Sequence, residues 1–226
     1  MPGVFKLSPS DFAFLWEECK RCFYLKHVHK FNRPGGPFPS IFGVIDREMR
    51  KHFMGRRTEE IAPELPSGTM TMGEKWVHSE PIHLPGHTAA LVLRGKLDAI
   101  VTFDDGTYGI IDFKTSDIKS THVQLYSRQL RAYAYALEHP EPGKLNLSPI
   151  TRMGLLSFTP TDYTTDTTAR SILSGRLKWH EIRQNDESFM AFLDEVLTVL
   201  ELPEPPAPDP KCAWCKYREQ SRQNGL

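Results

Sequence analysis

Two apolar, β-branched runs separated by a short turn constrain the fold of this 226-residue chain most strongly. Residues Ala89 to Phe103 and Tyr108 to Phe113 have the composition of strands, and Asp104-Asp105-Gly106 lies between them. Aspartate and glycine tolerate the positive φ angles of tight turns, so the sequence predicts a β-hairpin. The chain is therefore expected to contain at least one antiparallel pair of largely buried strands.

Charged side chains lie at one end of this predicted hairpin. Pairing the two runs around the turn places the Asp98 region beside the Asp112 region. The step between these residues is even, so both carboxylates can point to the same face if the turn adds no bulge. Lys114 shares that face, and Gly95 suits a strand position that backbone or substrate approaches closely. The three charged groups are expected to converge at the end of an otherwise apolar hairpin.

This trio has the residue types that hydrolysis of a phosphodiester requires. Two carboxylates a few ångströms apart rarely both ionise unless a cation lies between them. Mg²⁺ takes one or two protein carboxylates, polarises a phosphoryl oxygen and acidifies a bound water. Lys114 could position that water and stabilise the charge that grows on phosphorus. The alternative is a structural ion pair, because the same acid-x-Lys triplet also occurs at 18–20, 117–119 and 209–211.

A helix is predicted from His122 to Glu138, because apolar residues recur there at helical spacing. Gln129 and Tyr133 are four residues apart, so they share one face of this helix. The helix follows the hairpin directly. The side chains of Gln129 and Tyr133 can therefore lie close to the two carboxylates.

The three motifs together resemble the RecB-type branch of the PD-(D/E)XK nuclease superfamily, which also contains the CRISPR-adaptation nucleases. The motifs are Gly-x-x-Asp, Asp-x-Lys-Thr and Gln-Leu-x-x-Tyr, beginning at residues 95, 112 and 129. The resemblance covers roughly residues 90 to 140. It implies that Asp98 and Asp112 bind Mg²⁺ or Mn²⁺ and that Lys114 is catalytic. It also implies that Gln129 and Tyr133 help to position the metal site or DNA; a core aromatic is the alternative role for Tyr133.

The early part of the chain departs from this pattern. Members of the branch usually carry a histidine, sometimes a glutamate, on an early helix after a glycine-containing turn, and it joins the metal shell. The corresponding stretch here is Ile41 to Met49, in which Asp46 takes the place of the histidine. Glu48 and His52 are competing candidates. An acidic replacement can still ligate a metal, so Asp46 is predicted as a third metal ligand.

The order of predicted elements indicates an α/β protein in which helices flank a mixed sheet. The resemblance implies a restriction-endonuclease-like α/β/α sandwich with a central mixed sheet. A single domain over residues 1–226 is expected, because a chain with 39% hydrophobic residues can bury one core. Further predicted elements are helices at Phe12 to His27 and Glu187 to Leu200, a polar loop at Thr161 to Thr168 and a short strand at Trp179 to Ile182.

The four cysteines form two C-x-x-C pairs, Cys19/Cys22 and Cys212/Cys215. No signal peptide or membrane-spanning run is evident, so a reducing, cytoplasmic compartment without membrane contact is expected. Disulfides are then disfavoured, and the pairs are typical of one tetrathiolate site for Zn²⁺ or an iron–sulfur cluster. Five prolines between Leu202 and Pro210 would form a stiff tether that returns the second pair to the first. Unligated cysteines are the alternative.

The resemblance also bears on the metal that these cysteines hold. Iron–sulfur members of the branch hold a [4Fe–4S] cluster with one early and three late cysteines. This chain has two early and two late cysteines. The resemblance nevertheless favours [4Fe–4S] over Zn²⁺, and in either case a structural role.

Nucleic acid is the expected partner, although the formal net charge of the chain is zero. Residues Lys20 to Arg57 contain ten Lys or Arg and two acidic residues, which is enough for a local basic face. Four aromatic residues interleave with this run and could stack unpaired bases or form a buried stripe: Phe23, Tyr24, Phe31 and Phe38.

The sequence therefore predicts a metal-dependent DNA nuclease. Its expected substrate, from the resemblance alone, is single-stranded or end-containing DNA in repair, recombination or CRISPR-related processing. Two alternatives stay open. The chain could be a catalytically silent nucleic-acid-binding module, or a docking subunit that cuts only together with a helicase or an integrase-type partner.

Overall fold

Helices and strands come in groups along the chain in the computed structural model, which describes residues 3–36, 39–118, 120–165 and 170–225. The strands are β1 (Val4–Leu7), β2 (Gly68–Met72), β3 (Lys75–His78), β4 (Ile82–His83), β5 (Ala90–Leu97), β6 (Ala99–Phe103), β7 (Tyr108–Lys114), β8 (Ile150–Thr165) and β9 (Ser171–Glu181). The α-helices are α1 (Pro9–Ala13), α2 (Leu15–Glu18), α3 (Lys20–His27), α4 (Ser40–Phe53), α5 (Ser120–Glu138), α6 (Asp186–Leu200) and α7 (Ala213–Gln223). None of the helices in these ranges has the length and apolar character needed to cross a membrane.

The strands form two mixed sheets that follow one another through Asp98, the residue between β5 and β6. In the first sheet, β5 pairs with β1 in parallel and with β3 and β4 in antiparallel fashion. The second sheet has the order β2-β6-β7-β8-β9. Its β7 and β8 are parallel, and its other neighbours are antiparallel.

Helices cover both faces of the second sheet. The side chains of β7 alternate between the two hydrophobic clusters that lie on these faces. Ile111 and Phe113 pack in the cluster that contains Phe53 of α4. Ile110 points the other way and packs in the cluster that contains Leu130 of α5. A strand places successive side chains on opposite faces, so one strand serves both layers. The predicted α/β fold, with helices on both sides of a mixed sheet, is confirmed.

The predicted hairpin is present and has the expected register. Strands β6 and β7 pair antiparallel with Ala99 opposite Ile111. The turn contains Gly106 at φ +85°, a conformation that glycine adopts without steric cost. Continuing the register by one residue brings the chain at Asp98 alongside Asp112. The hairpin therefore carries both carboxylates to the same end of the sheet.

The predicted helix from Phe12 to His27 is wrong as a single element. The chain there forms α1, α2 and α3, with breaks at Phe14 and Cys19. Cys19 is extended (φ −171°, ψ 109°) and is the N-cap of α3, where its sulfur accepts a hydrogen bond from the Cys22 amide. The break turns the Cys19 side chain toward the other cysteines, a tertiary requirement that helical periodicity does not report.

The predicted polar loop at Thr161 to Thr168 is also wrong in part. Strand β8 continues to Thr165 and β9 begins at Ser171, so Trp179 to Ile182 is only the end of a long strand. Residues 166–169 lie outside the described ranges. Threonine favours strands, but most side chains of this outer hairpin are exposed on both faces. No alternation of polar and apolar residues therefore marks it in the sequence.

The proline-rich segment returns the end of the chain to α3, as predicted. The Tyr24 hydroxyl donates to the Leu202 carbonyl oxygen at 2.9 Å. The Arg21 guanidinium donates to the Pro206 carbonyl oxygen at 2.8 Å. These bonds fix the tether against α3 before α7 begins. The two C-x-x-C pairs are thereby brought together.

A charged cluster fastens the end of α6 to the start of β5. The Glu201 carboxylate accepts hydrogen bonds from the amides of Thr88 and Ala89 and contacts His87 Nδ1 at 2.8 Å. Asp194 contacts the other ring nitrogen of His87 at 3.0 Å. The Glu201 hydrogen bond raises the pKa of His87. Burial opposes ionisation of Glu201, but His87 and the backbone amides lower its pKa to about 2.

Substituting His87 by glutamine is expected to lower the melting temperature by an amount that depends on pH. Because the pKa of His87 is raised, its protonated ring stabilises the folded protein fully below pH 6.5. This stabilisation is lost as the pH rises through the pKa of His87 in the folded protein. The Glu201 contribution is complete above 4.5 and lost toward pH 2. The decrease in melting temperature should therefore be largest between pH 4.5 and 6.5, at roughly 2–4 °C, and should shrink by pH 9. Melting curves of His87→Gln and the wild type across this pH range test the prediction. His139→Gln, at an exposed histidine, is the control. A decrease in melting temperature that does not depend on pH would contradict the prediction.

Candidate active site and four-cysteine centre

Asp98, Asp112 and Lys114 converge where β5, β6 and β7 meet. Asp112 is buried in β7, and its carboxylate forms an ion pair with the Lys114 ammonium. Asp98 lies between β5 and β6, where its Oδ2 accepts a hydrogen bond from the Phe113 amide at 3.0 Å. The register predicted from the sequence thus brings the three side chains together at one end of the hairpin.

The two polar residues of α5 reach this site in different ways. Gln129 Nε2 donates to Asp112 Oδ1 at 3.2 Å and so fixes the rotation of that carboxylate. The Tyr133 hydroxyl donates to the Lys96 carbonyl oxygen at 3.0 Å. Gly95 makes room for this ring, since a Cβ there would lie 2.9 Å from Tyr133 and 2.8 Å from Pro9. Tyr133 therefore supports the backbone beside Asp98, and Gly95 serves packing.

The Lys114 ammonium is held between a carboxylate and an aromatic ring. Its Nζ lies 4.8 Å from the centre of the Tyr126 ring on α5. Burial alone would lower the pKa of Lys114, but the Asp112 and Asp98 carboxylates raise it above the ordinary value. Lys114 is therefore a cation at neutral pH. Tyr126 is one helical turn before Gln129, on the same face of α5.

The carboxylate of Asp98 resists ionisation. Burial, and then the neighbouring charge of Asp112, raise the pKa of Asp98 to about 7. The Asp46 carboxylate adds to this shift, while Lys114 opposes it. Two or three carboxylates in one partly buried site repel each other, and a divalent cation would remove that repulsion.

Asp46 faces the site from α4, whereas its two competitors do not. The carboxylate of Asp46 is ion-paired with Arg50, one turn later on the same helix. Burial, and then Asp112 and Glu74 acting against Arg50, raise the pKa of Asp46. Glu48 is largely exposed and lies near surface cations, and His52 packs against the Phe53 ring. Of the three candidates for the early position, Asp46 is the one coupled to the carboxylate pair.

One carboxylate oxygen of this site has no hydrogen-bond donor. Asp46 Oδ1 is buried and makes no hydrogen bond within the described residues, whereas Asp112 Oδ2 is contacted by the Lys114 ammonium. Buried carboxylate oxygens without donors are energetically costly unless a cation neutralises them. The residues present therefore fit a divalent cation bound through oxygen. Such an ion takes few protein carboxylates and keeps several waters.

The four cysteines form the second site. Their sulfur atoms all lie within 4.8 Å of one another, the one such group of three or more potential ligands found across the described ranges. All four side chains are buried. Burial and the thiols of Cys19 and Cys212 raise the pKa of Cys215 to about 12. Four neighbouring thiolates would repel each other, so they can ionise together only around a bound metal. The four predicted cysteines lie in one group that could hold a metal; that they bind one, and which metal, stay predictions.

Several residues of these sites carry no sequence signal. Arg50 links Asp46 to Glu74, and Glu74 in turn contacts Lys96 at 2.8 Å. Arg33 and Arg218 donate to cysteine sulfurs. Their partners lie on distant parts of the chain, so no local spacing marks them. Tyr126 could have been found, because it precedes Gln129 by one helical turn.

The basic run is partly used within the protein. Phe23 and Tyr24 are buried, which supports the buried-stripe alternative, whereas Phe31 is 55% exposed. Phe38 lies outside the described residues. On α4, Arg47, Arg50 and Lys51 line a shallow groove next to Asp46. Glu74 also lines this groove and is ion-paired with Arg50.

Comparisons with known proteins identify related sequences and structures. A sequence model of the PD-(D/E)XK nuclease superfamily matches residues 43–220. No curated protein matches the chain. Among solved structures, the crystal structure of SSO0001 is 14% identical, with a TM-score of 0.45, and the match covers 89% of this chain and 79% of that one.

Proposed function

Because the chain belongs to the PD-(D/E)XK nuclease superfamily, we propose that it hydrolyses phosphodiester bonds of DNA with Mg²⁺ or Mn²⁺. The convergence of Asp98, Asp112 and Lys114, beside the buried Asp46 oxygen that lacks a donor, carries this proposal. The proposed substrates are single-stranded DNA or DNA ends, in repair, recombination or CRISPR-related processing. The RecB-type assignment stays a prediction.

The carboxylates are the proposed metal ligands. Asp98 and Asp112 would hold the cation, and Asp46 would complete its protein ligands from α4. When bound, the ion supplies a Lewis acid for the phosphoryl oxygen and lowers the pKa of a bound water. Gln129 keeps Asp112 in one rotamer through the 3.2 Å hydrogen bond, so the ligand geometry is preorganised. Tyr133 does the same for the backbone beside Asp98.

Lys114 is proposed to act as a fixed positive charge. Without a bound metal, the Asp112 and Asp98 carboxylates outweigh burial and raise the pKa of Lys114, which keeps the ammonium protonated at neutral pH. An ammonium at this position can donate hydrogen bonds to a phosphate oxygen and to an attacking water. Both interactions strengthen as negative charge grows during hydrolysis. Its contact with the Tyr126 ring restricts where Nζ can move.

The groove along α4 is the proposed approach for the DNA backbone. Arg47 and Lys51 lie there and attract phosphate without reading sequence. The chain outside residues 20–57 has 18 Lys or Arg and 26 Asp or Glu, so binding is expected to rely on this local positive charge and to weaken as salt is added. A helicase or integrase-type partner stays part of the proposal, because a short local basic face gives limited affinity by itself.

A cleavage assay on internally labelled substrates tests this function. Linear and circular single-stranded DNA and linear duplex DNA are incubated with the protein plus Mg²⁺, Mn²⁺ or neither. Cleavage is expected only with added metal, and resistance of the circular strand would indicate a requirement for ends. Asp112→Asn should remove cleavage in every case, because it removes the ligand charge.

Other outcomes of the assay decide between the alternatives. Binding of DNA without any cleavage, by both wild type and Asp112→Asn, would contradict the nuclease proposal and support a silent binding module. Cleavage that appears only after a helicase or integrase-type protein is added would support a docking subunit. Cleavage of RNA but not DNA would contradict the proposed substrate.

A further inference from the structure

The spacing of the four cysteine sulfurs points to the metal that they bind. We infer that this centre holds one tetrahedral zinc ion and not the [4Fe–4S] cluster that the resemblance implies. The inference concerns the centre of Cys19, Cys22, Cys212 and Cys215 alone. It does not depend on whether the protein cleaves DNA, because the metal can be measured without any activity.

The sulfur–sulfur distances fit a single ion. Cys19 and Cys215 sulfurs are 3.6 Å apart, and the Cys22 sulfur lies 3.8 Å from that of Cys212 and 3.9 Å from that of Cys215. Four sulfurs at about 2.3 Å from one central zinc form a tetrahedron with edges of about 3.8 Å. In a [4Fe–4S] cluster each thiolate binds a different iron at a corner of a cube, so the whole cluster separates the thiolates. Sulfurs that all lie within 4.8 Å of one another leave no room for it.

The two pairs have the same local form, which suits symmetric coordination of one ion. Cys19 is the N-cap of α3 and Cys212 is the N-cap of α7, and the second cysteine of each pair follows one turn later. The capping hydrogen bond itself occurs in the early pair, where the Cys22 amide donates to the Cys19 sulfur at 3.4 Å, and not at Cys212. Each C-x-x-C therefore presents two sulfurs from one helical start, with the favourable end of the helix dipole toward the thiolates. Structural zinc sites commonly use such a two-plus-two arrangement.

Two arginines balance the charge that this coordination creates. Four thiols release four protons when they bind Zn²⁺, so the centre carries a net charge of −2. Arg218 donates to the sulfurs of Cys22 and Cys215 at 3.1 and 3.5 Å, and Arg33 donates to the Cys212 sulfur at 3.5 Å. These guanidinium groups offset part of this charge inside a buried centre, since Arg33 is also ion-paired with Glu18. With four protein ligands and no open position, the ion is structural.

Metal analysis of the whole protein tests the inference. The protein is expressed with both iron and zinc supplied and purified in parallel under air and without oxygen, so that an oxygen-labile cluster would survive in the second preparation. Both preparations should be colourless and contain about one zinc per chain, without stoichiometric iron or sulfide. Cobalt substituted for the zinc should give the visible bands of a tetrahedral thiolate complex. A brown anaerobic protein containing iron and sulfide, or a protein without metal in both preparations, overturns the inference.

Variants of the two arginines test the proposed charge balance. The double change Arg33→Ala and Arg218→Ala should weaken zinc binding about 10- to 100-fold in competition with a chelator of known affinity. Arg222→Ala, an exposed position one turn after Arg218 on α7, is the matched control and should leave zinc affinity unchanged. Equal affinities for the double variant and the control would show that the arginines do not balance the charge of the centre.

Discussion

Replacing Lys114 by alanine is expected to lower the rate of DNA hydrolysis by about 10²- to 10³-fold or more, with little change in DNA binding. The Lys114 ammonium is fixed between Asp112 and the Tyr126 ring, so it can interact with charge that develops on the phosphate without reorganising. Alanine keeps the strand but removes that charge. Single-turnover cleavage with saturating Mg²⁺ or Mn²⁺ measures the loss, and fluorescence anisotropy with labelled DNA measures binding.

The chain supplies its own control for this substitution. Lys211 belongs to the same acid-x-Lys triplet pattern, but it is exposed and lies directly before Cys212, on a different part of the chain. Lys211→Ala should cleave DNA like the wild type. A Lys114→Ala protein that cuts at the wild-type rate would show that the Asp112–Lys114 pair is only a structural ion pair. A parallel loss of binding and cleavage would place Lys114 in substrate binding instead of hydrolysis.

Replacing Asp98 by asparagine is expected to stabilise the protein when no Mg²⁺ or Mn²⁺ is added, while abolishing cleavage. The pKa of Asp98 is raised to about 7 in the folded protein, from 3.8. Folding therefore favours the neutral carboxyl, and stability is lost as pH rises from 3.8 through about 7. Asparagine keeps the acceptor for the Phe113 amide but never ionises. The gain above pH 7 should be on the order of 2 to 4 kcal/mol.

Melting curves at several pH values test the Asp98 prediction. The gain of Asp98→Asn should correspond to roughly 5–10 °C at pH 8 and vanish below pH 4. Saturating Mg²⁺ should stabilise the wild type but not the variant, because a ligand stabilises only the state that binds it. A variant that is less stable than the wild type at pH 8 without added metal would contradict a costly buried charge at this position.

The parts of the site that sequence reasoning could predict are those encoded by local spacing. Asp98 and Asp112 could be placed together because a short turn fixes strand register, and Lys114 followed from the period of a strand. Gln129 followed from the period of a helix. In each case, the chain between the residues is regular, so counting positions is enough to define the geometry.

The remaining parts depend on contacts between distant segments. The pairing of Arg50 with Glu74 needs α4 to lie against the turn after β2, and no periodicity reports that arrangement. The break at Cys19 is set by cysteines almost two hundred residues later in the chain. The outer part of the β8–β9 hairpin has little buried surface, so its strands lack the alternation that sequence reasoning uses.

The four-cysteine centre joins α3 to α7, and this has a consequence for how the protein is synthesised. Cys19 and Cys22 leave the ribosome first, and Cys212 and Cys215 follow only after the intervening 189 residues have been synthesised. The nascent polypeptide can form its hairpin and sheets before then, but it cannot close the centre. The same dependence means that removing α7 would leave Cys19 and Cys22 as an incomplete pair.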